Sequence, residues 1–156
     1  MKILIGLDAS VHSERVLEFV ARMRWPAGSR VIVLSVLQPV ASTVTGAYEP
    51  TVIPAENLEG LRQQLEELVA RAEGTLREVG FSTEGRVLAG DPRQSLIQVA
   101  QSERADLIVV GSHGRSGIAK MMLGSVSSHI VTHAPCSVLV VKQPGRAPGG
   151  GTGSRP

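Results

Sequence analysis

The 156-residue chain contains few of the features that mark secreted, membrane or disulfide-stabilised proteins. Its single cysteine, Cys136, cannot form an internal disulfide, which favours a reducing compartment. No apolar run approaches the roughly 20 residues needed to cross a bilayer. The apolar run at the N-terminus is also too short for a signal peptide. We therefore predict a cytoplasmic protein that does not enter a membrane.

Aromatic residues are also scarce, at 3% of the chain, so little is available for stacking on nucleic-acid bases. The isoelectric point of about 9.1 nevertheless suggests a polyanionic partner. Three basic residues and no acidic ones fall in residues 142–156, and the preceding residues hold 13 basic against 14 acidic side chains. Because the body of the chain is close to neutral, we expect no nucleic-acid partner.

Short apolar runs alternate with helical periodicity along the chain. Strands are predicted at residues 2–7, 31–37, 83–88, 107–110 and 137–142. The first helix is predicted from the apolar spacing of Val16, Val20 and Met23, and the last over Ser125–His133. Five such alternations predict a single α/β domain with a parallel sheet covered by helices on both faces.

The two middle helices carry recognisable end signals. Apolar residues recur every three or four positions from Leu58 to Val79, and Gly80 follows where a C-cap glycine belongs. Asp91 precedes Pro92 in the order expected of an N-cap and a first helical residue. Between the regular elements, residues 38–54 are predicted to form a long loop, of a length that is typical of functional or mobile loops. Residues 1–143 form the predicted domain, and 144–156 a disordered Gly/Pro-rich tail.

Glycines and serines are concentrated directly after the predicted fourth strand, in "GSHGRSGIAKMMLGSVSSHI" from Gly111 to Ile130. In open parallel sheets, ligands bind beyond the carboxyl ends of the strands, where the strand order reverses. The first strand ends in "GLDAS", and we expect this loop to face the same crevice. A helix starting near Ser125 would direct N–H groups and partial positive charge into it, which predicts an anionic ligand.

The glycine spacing does not fit the commonest phosphate-binding motifs. A P-loop lysine and the GxGxxG fingerprint are both absent. The pattern G-x2-G-x9-G-[ST], formed by Gly111, Gly114, Gly124 and Ser125, is present instead. Together with "KILIGLDAS", "VIVLSV", "GDPRQSLIQVAQSERADLIVVGSHGRSG" and "APCSVLVVK" in this order, it resembles the ATP-binding branch of the universal stress protein family.

The resemblance implies a Rossmann-like five-stranded sheet of order 3-2-1-4-5 and a homodimer paired through residues 137–142. It also implies that ATP binds between the first and fourth strands, with Mg²⁺ carried by the phosphates rather than by the protein. Asp8 would lie near the ribose or the phosphate-bound Mg²⁺, and Val36 would offer backbone groups to adenine. The nucleotide-binding residues implied are Leu7, Asp8, Val36, Gly111, Gly114, Arg115, Gly124, Ser125, Val126 and Ser127.

Three functions follow as hypotheses. The first is an ATP-binding, stress-response regulator, in which the nucleotide orders the 38–54 and 111–124 loops for an unidentified downstream protein. The second is a slow ATPase or nucleotidyl transferase that uses Asp8, His113 and Arg115 in the same crevice. The third is a dimerisation module that binds no nucleotide and keeps its glycines for close packing.

Two further features invite functional interpretations that we do not favour. His129 and His133 have the i,i+4 spacing of a zinc pair, but Ile130 stands where an HExxH motif needs glutamate. Cys136 begins an apolar strand, where a small buried residue is the ordinary choice. We predict structural roles for all three residues.

Overall fold

A computed structural model describes residues 1–38, 55–114 and 123–142, which form five strands and four helices. The strands are β1 (Lys2–Leu7), β2 (Arg30–Leu37), β3 (Ser82–Ala89), β4 (Leu107–Gly111) and β5 (Ser137–Val141). The helices are α1 (Val11–Arg22), α2 (Ala55–Glu78), α3 (Pro92–Glu103) and α4 (Ser125–His133). The predicted loop from residue 39 onward and the predicted tail lie outside the described residues.

All strands are parallel, in the order β3-β2-β1-β4-β5, which confirms the predicted α/β fold. Leu4 at the centre of β1 pairs with Ile32 of β2 on one side and Ile108 of β4 on the other. From the central strand β1, the chain adds β2 and then β3 on one side of the sheet, and then adds β4 and β5 on the other side of β1. The strand order therefore reverses between β1 and β4, where parallel sheets bind ligands.

The sheet is buried on both faces, as its continuous apolar strands require. Helices α1 and α2 cover one face, where Ile3, Ile5 and Val109 contribute to the core. Helices α3 and α4 cover the other face, with Leu4, Ile108 and Ile130 in its core. The alternation along β1 thus supplies both cores. In the described part of the chain, no helix is long and apolar enough to cross a membrane.

Helix α1 ends before the predicted stop at Trp25-Pro26, so the prediction that Met23 belongs to its apolar face was wrong. The helix ends at Arg22, Met23 has extended backbone, and its side chain is 47% exposed instead of buried with Val16 and Val20. The indole N–H of Trp25 donates to the Val20 carbonyl at 2.8 Å. This bond satisfies one of the C-terminal carbonyls of the helix, which lack partners within the helix.

The end of α2 is confirmed near its predicted glycine. Gly80 has φ of +95°, and its N–H donates to the Arg77 carbonyl while that of Phe81 donates to the Leu76 carbonyl. These two bonds form a Schellman motif, in which glycine takes the left-handed position. The predicted apolar stripe nevertheless stops before Val79, which lies past the helix and is 50% exposed.

Helix α3 begins as predicted, with Asp91 as N-cap and Pro92 in its first turn. The Asp91 carboxylate accepts from the Arg93 N–H at 2.8 Å and pairs with the Arg93 guanidinium. The hydrogen bond from the Arg93 side chain is the main reason that the pKa of Asp91 falls from 3.8 to about 2. The carboxylate therefore stabilises the folded chain fully above pH 3.8, and this stabilisation is lost as the pH falls through about 2.

Replacing this cap gives a pH-dependent test of its contribution. We expect Asp91→Ala to lower the free energy of unfolding by about 1 kcal/mol at neutral pH, because an N–H of the first turn loses its acceptor. The difference from wild type should shrink as the pH falls toward 2, in urea unfolding followed by circular dichroism. Asp91→Ser is the matched control, because serine caps without titrating and should retain stability at neutral pH. A difference that does not change with pH would contradict the assigned role of the carboxylate.

Candidate functional site

A cavity of about 340 Å³ opens at the carboxyl ends of β1, β2 and β4, where the strand order reverses. Nine of the ten residues predicted from the sequence line it, and Arg115 lies outside the described residues. The nine are Leu7, Asp8, Val36, Gly111, Gly114, Gly124, Ser125, Val126 and Ser127. The fold thus brings the loop after β1 and the glycine-rich loop after β4 to one place.

Several other lining residues were not predicted. The apolar ones include Leu34 on β2, Leu65 on α2 and Leu96 on α3, and Gln38 is a polar one. His113, which the enzymatic hypothesis placed in this crevice, also lines the cavity. Leu34 could have been found, because β2 was predicted beside β1 and its last residues must reach the same edge. Leu65 gave no such signal, because the rotation of α2 over the sheet depends on tertiary packing.

The carboxylate of Asp8 is held by hydroxyl groups that follow it in the chain. Its Oδ1 accepts from the Ser13 hydroxyl at 2.8 Å and from the Ser10 hydroxyl. The Ser13 hydroxyl also accepts from the backbone N–H of Asp8 at 2.7 Å, and Ser13 is buried. The first turn of α1 therefore fixes the direction of a carboxylate at the cavity wall.

Ser112 connects the end of β4 to the start of α4. Its carbonyl accepts from the Gly124 N–H at 2.7 Å and from the Ser127 hydroxyl at 3.0 Å. Its own N–H donates to the Val141 carbonyl at 2.9 Å, which ties the same residue to β5. These bonds determine where α4 begins relative to the sheet, although residues 115–122 separate the two in sequence.

Helix α4 presents its N-terminus to the cavity. Its N-cap is Gly124, which offers no side chain to the first turn. The N–H groups of Ser125, Val126 and Ser127 belong to that turn, where a helix provides no acceptors of its own. They give this wall of the cavity hydrogen-bond donors and partial positive charge.

The two predicted hydroxyl donors of α4 differ in their surroundings. Ser125 is exposed and lines the cavity. Ser127 is only 2% exposed, and its hydroxyl is directed to the carbonyls of Ser112 and Gly124, both at 3.0 Å. The single proton of this hydroxyl is already shared with these carbonyls, so the Ser127 side chain stabilises the loop. The donor that Ser127 can offer to a ligand is its backbone N–H.

Close approach, rather than an unusual backbone conformation, explains the glycines of the loop. A Cβ at Gly114 would lie 2.7 Å from Asp8 Oδ2, and one at Gly124 would lie 3.3 Å from the Cα of His113. One at Gly111 would lie 3.2 Å from the Cβ of His12. The three glycines therefore pack the β1 loop, α1 and the start of α4 against one another, so close packing is part of their role.

The side chains of two histidines lie close together, although their positions in the sequence give no signal of this proximity. The rings of His12 on α1 and His113 after β4 are tilted by 40°, with centroids 5.7 Å apart. Nδ1 of His113 lies 3.1 Å from the Ser112 hydroxyl. Nδ1 of His12 is buried without a hydrogen-bond partner among the described residues.

The residues predicted to be structural show no sign of a metal or redox site. His129 and His133 stack with centroids 4.2 Å apart, and His133 Nδ1 donates to the His129 carbonyl at 3.0 Å. Within residues 1–38, 55–114 and 123–142, no three His, Cys, Asp or Glu side chains cluster for a metal ion. Burial raises the pKa of the Cys136 thiol, and nearby Asp106 raises it further, which disfavours the reactive thiolate.

Comparisons with known proteins show which family has this sequence and fold. The sequence profile of the universal stress protein family matches residues 1–142. Universal stress protein Sll1388 from Synechocystis sp. is 31% identical over 150 residues, which cover 90% of this chain and 97% of the relative. The chain belongs to the universal stress protein family.

Solved structures share the same fold. Hypothetical protein MJ0577, a universal stress protein of Methanocaldococcus jannaschii, superposes with a TM-score of 0.74 at 27% identity, covering 93% of this chain and 97% of its own. The universal stress protein from Archaeoglobus fulgidus in complex with dAMP superposes with a TM-score of 0.61 at 25% identity. That superposition covers 91% of this chain and 98% of the archaeal one.

The contact between Gly114 and Asp8 gives a test of the loop packing. We expect Gly114→Ala to lower the free energy of unfolding by about 1–3 kcal/mol, because the added methyl group displaces the Asp8 carboxylate. In an Asp8→Ala background the same change should be much less destabilising, since the obstructing oxygen is gone. Urea unfolding of the two single variants and the double variant measures the coupling. Additive effects would show that the two residues are not in contact.

Proposed function

We propose that this protein is a stress-response regulator that binds ATP, with Mg²⁺ on its phosphates, in the cavity between β1 and β4. The observation that carries the proposal is the N-terminus of α4, which opens on that cavity beside the glycine loop. The dAMP complex of the Archaeoglobus relative supports an adenine nucleotide as the ligand class.

The phosphates are placed against the start of α4. The N–H groups of Ser125, Val126 and Ser127 supply donors, and Ser125 adds an exposed hydroxyl. Gly111 and Gly114 have no side chains, so on the opposite wall a phosphate chain can approach the backbone closely. Arg115 directly follows this wall in the sequence and is kept as a proposed phosphate contact.

The base is placed in the apolar part of the cavity. Leu34 and Val36 of β2 and Leu96 of α3 supply surface against which a flat ring packs. Val36 lies near the carboxyl end of β2 and lines the cavity, so we propose that its backbone groups hydrogen-bond to the polar atoms of adenine. Gln38 lies two residues further on and also lines the cavity.

The negative charge of Asp8 requires a cation or the ribose hydroxyls between its carboxylate and the phosphates. A carboxylate in the same cavity repels a polyphosphate unless a cation or the ribose hydroxyls lie between them. The hydroxyls of Ser10 and Ser13 hold this carboxylate in place, which fits contact with the ribose or with Mg²⁺-bound water. Bound Mg²⁺ would neutralise phosphate charge, and Asp8 with Leu7 would form the side of the cavity facing it.

Regulation rather than rapid turnover is the activity we propose. Asp8 Oδ1 already accepts two hydroxyl groups, so its observed role is to hold structure at the cavity wall. Nucleotide binding would shift the populations of the loops around the cavity, and a downstream protein would recognise the ordered surface. The single Cys136 favours a reducing compartment such as the cytoplasm for this activity.

A charge placed at the start of α4 tests the phosphate position. We expect Ser125→Glu to weaken Mg-ATP binding at least tenfold, because its carboxylate repels the phosphates. The fold should be retained or slightly stabilised, since an acidic residue in the first turn of a helix is favourable. Isothermal titration calorimetry measures the affinity, and thermal unfolding measures the stability.

The matched control for this variant is Ser128→Glu. Ser128 is exposed on the same helix but does not line the cavity, so its variant should bind Mg-ATP nearly as wild type. Equal affinities of wild type and Ser125→Glu for Mg-ATP would contradict the proposed position of the phosphates at the start of α4. ATP hydrolysis in the same samples at a rate lost in Asp8→Ala would favour the enzymatic hypothesis instead.

We also propose that the protein is a homodimer formed through residues 137–142. β5 is an edge strand, and its apolar residues Val138, Leu139, Val140 and Val141 are only half-buried. An apolar edge strand is a template for pairing with another strand, and a second copy of β5 would cover it.

Substitution of Leu139 tests this interface. We expect wild type to sediment at twice the 16.5 kDa chain mass, and Leu139→Lys to sediment near the chain mass, because the charge opposes pairing at the edge. Leu88→Lys on the opposite edge strand, where Leu88 is exposed, is the control and should remain dimeric. A wild-type monomer, or a dimeric Leu139→Lys variant with unchanged affinity, would contradict the proposed interface.

A further inference from the structure

We propose that the edge of the sheet opposite the nucleotide cavity carries a docking surface for an acidic, amphipathic segment of a partner protein. The surface consists of Phe19, Arg22, Met23, Arg24 and Arg30, and is called the basic surface below. It lies at the end of α1 that is remote from the cavity, so the proposal does not depend on nucleotide binding.

The basic surface lies where α1 ends and β2 begins. Helix α1 starts beside the cavity and runs back to the edge at which the strands begin. A turn then leads into β2, in which the Ser29 N–H donates to the Pro26 carbonyl at 3.2 Å. The Arg30 N–H donates to the Met1 carbonyl at 2.9 Å. The end of α1 and the start of β2 therefore share one edge of the sheet with the start of β1.

Three arginines supply the positive charge of this surface. Arg22, Arg24 and Arg30 are exposed, and within the described part of the chain no side chain pairs with them. The sequence contains no acidic residue between Glu18 and Glu49. A positive charge in the last turn of a helix stabilises that helix, which accounts for Arg22. It does not account for Arg24 and Arg30, because both lie outside the helix.

Charged groups elsewhere in the fold are paired within the chain. On α2, Nε of Arg62 lies 2.9 Å from Oε1 of Glu66. At the amino edge of the sheet, Nζ of Lys2 lies 3.1 Å from Oε2 of Glu103, and the Lys2 N–H donates to Asp106 at 2.6 Å. These two carboxylates are thus bound by β1, and the guanidinium groups of the basic surface are available to an external partner.

Exposed apolar side chains lie among these arginines. Met23 is 47% exposed and Phe19 is 36% exposed, and the Met23 N–H donates to the Phe19 carbonyl at 3.2 Å. The two side chains therefore follow each other by one helical turn. Arginine, methionine and aromatic residues are enriched in protein–protein interfaces, whereas lysine is depleted. The basic surface has this composition and contains no lysine.

The same composition favours a protein segment over other anionic partners. Guanidinium groups bind carboxylates through bidentate hydrogen bonds, and apolar side chains of a partner would cover Phe19 and Met23. A polynucleotide offers phosphates but little aliphatic surface. The three arginines also fall short of the roughly four to eight basic residues typical of segments that bind anionic lipid. A segment with carboxylates beside apolar side chains matches both components of the surface.

Fluorescence anisotropy of a labelled synthetic peptide with the full chain tests this inference at about 0.15 M salt. The peptide is a helix with leucines on one face and glutamates on the other. We expect Arg22→Glu/Arg24→Glu to weaken binding about tenfold or more, because carboxylates then face carboxylates. Met23→Ser is expected to weaken binding about fivefold, because apolar contact is lost. Thermal unfolding of both variants should match that of wild type, since the substituted side chains are exposed.

The matched control is Arg15→Glu/Arg71→Glu, which changes the net charge by the same amount. Arg15 and Arg71 are exposed, and in the described ranges neither side chain is paired. Arg15 lies about two helical turns before Arg22, beyond the screening length at this salt concentration. The control variant should bind the peptide within about twofold of wild type. Equal losses in the two double variants would indicate unspecific attraction and overturn the docking surface.

Further outcomes decide which partner occupies the surface. Equal affinity of wild type and Arg22→Glu/Arg24→Glu for the peptide would overturn the proposal. Tighter binding of anionic phospholipid vesicles or of a DNA duplex, lost in this variant, would overturn the assignment to a protein segment. Dissociation of a wild-type dimer by the same substitutions in sedimentation would instead make a second copy the occupant. All measurements are made without nucleotide, so a failure of ATP binding would leave their outcome unchanged.

Discussion

The Ser112 carbonyl is the point on which the site depends, because it joins the end of β4 to the beginning of α4. The Gly124 N–H and the Ser127 hydroxyl both donate to it, so α4 starts at a fixed place above the sheet. The N–H of the same residue bonds β5, and its hydroxyl holds the ring of His113. One backbone position therefore determines the direction of the helix, the glycine loop and the imidazole together.

The charges around the cavity follow from this arrangement. The first turn of α4 offers donors and partial positive charge on one wall, while Asp8 places a carboxylate on another. An anion alone would be attracted to the first wall and repelled from the second. A polyphosphate that carries its own cation, joined to a ribose and a base that fills the apolar part, satisfies both walls, and this is the physical basis of the proposed ligand class.

The alternation of strands and helices could be predicted from the sequence because local patterns determine it, whereas the strand order and most of the cavity residues were predicted from the resemblance to the universal stress protein family. Apolar runs separated by helical periodicity indicate the parallel sheet, and Asp91, Pro92 and Gly80 mark helix ends by their own backbone chemistry. Properties that depend on distant contacts were missed. Met23 was wrongly predicted to lie in the core because its spacing continues the apolar pattern of Val16 and Val20, while the helix ends at Arg22. The proximity of His12 to His113 depends on the packing of α1 beside β4.

Amide chemical shifts give the most direct test of the central claim that an adenine nucleotide binds with its phosphates at the start of α4. A Mg-ATP titration of ¹⁵N-labelled protein is expected to produce saturable shifts of the backbone N–H resonances of Gly111–Gly114 and Ser125–Ser127. Mg-GTP at the same concentrations should produce much smaller changes. Saturable shifts confined to another part of the chain, or none at millimolar ATP, would contradict the account.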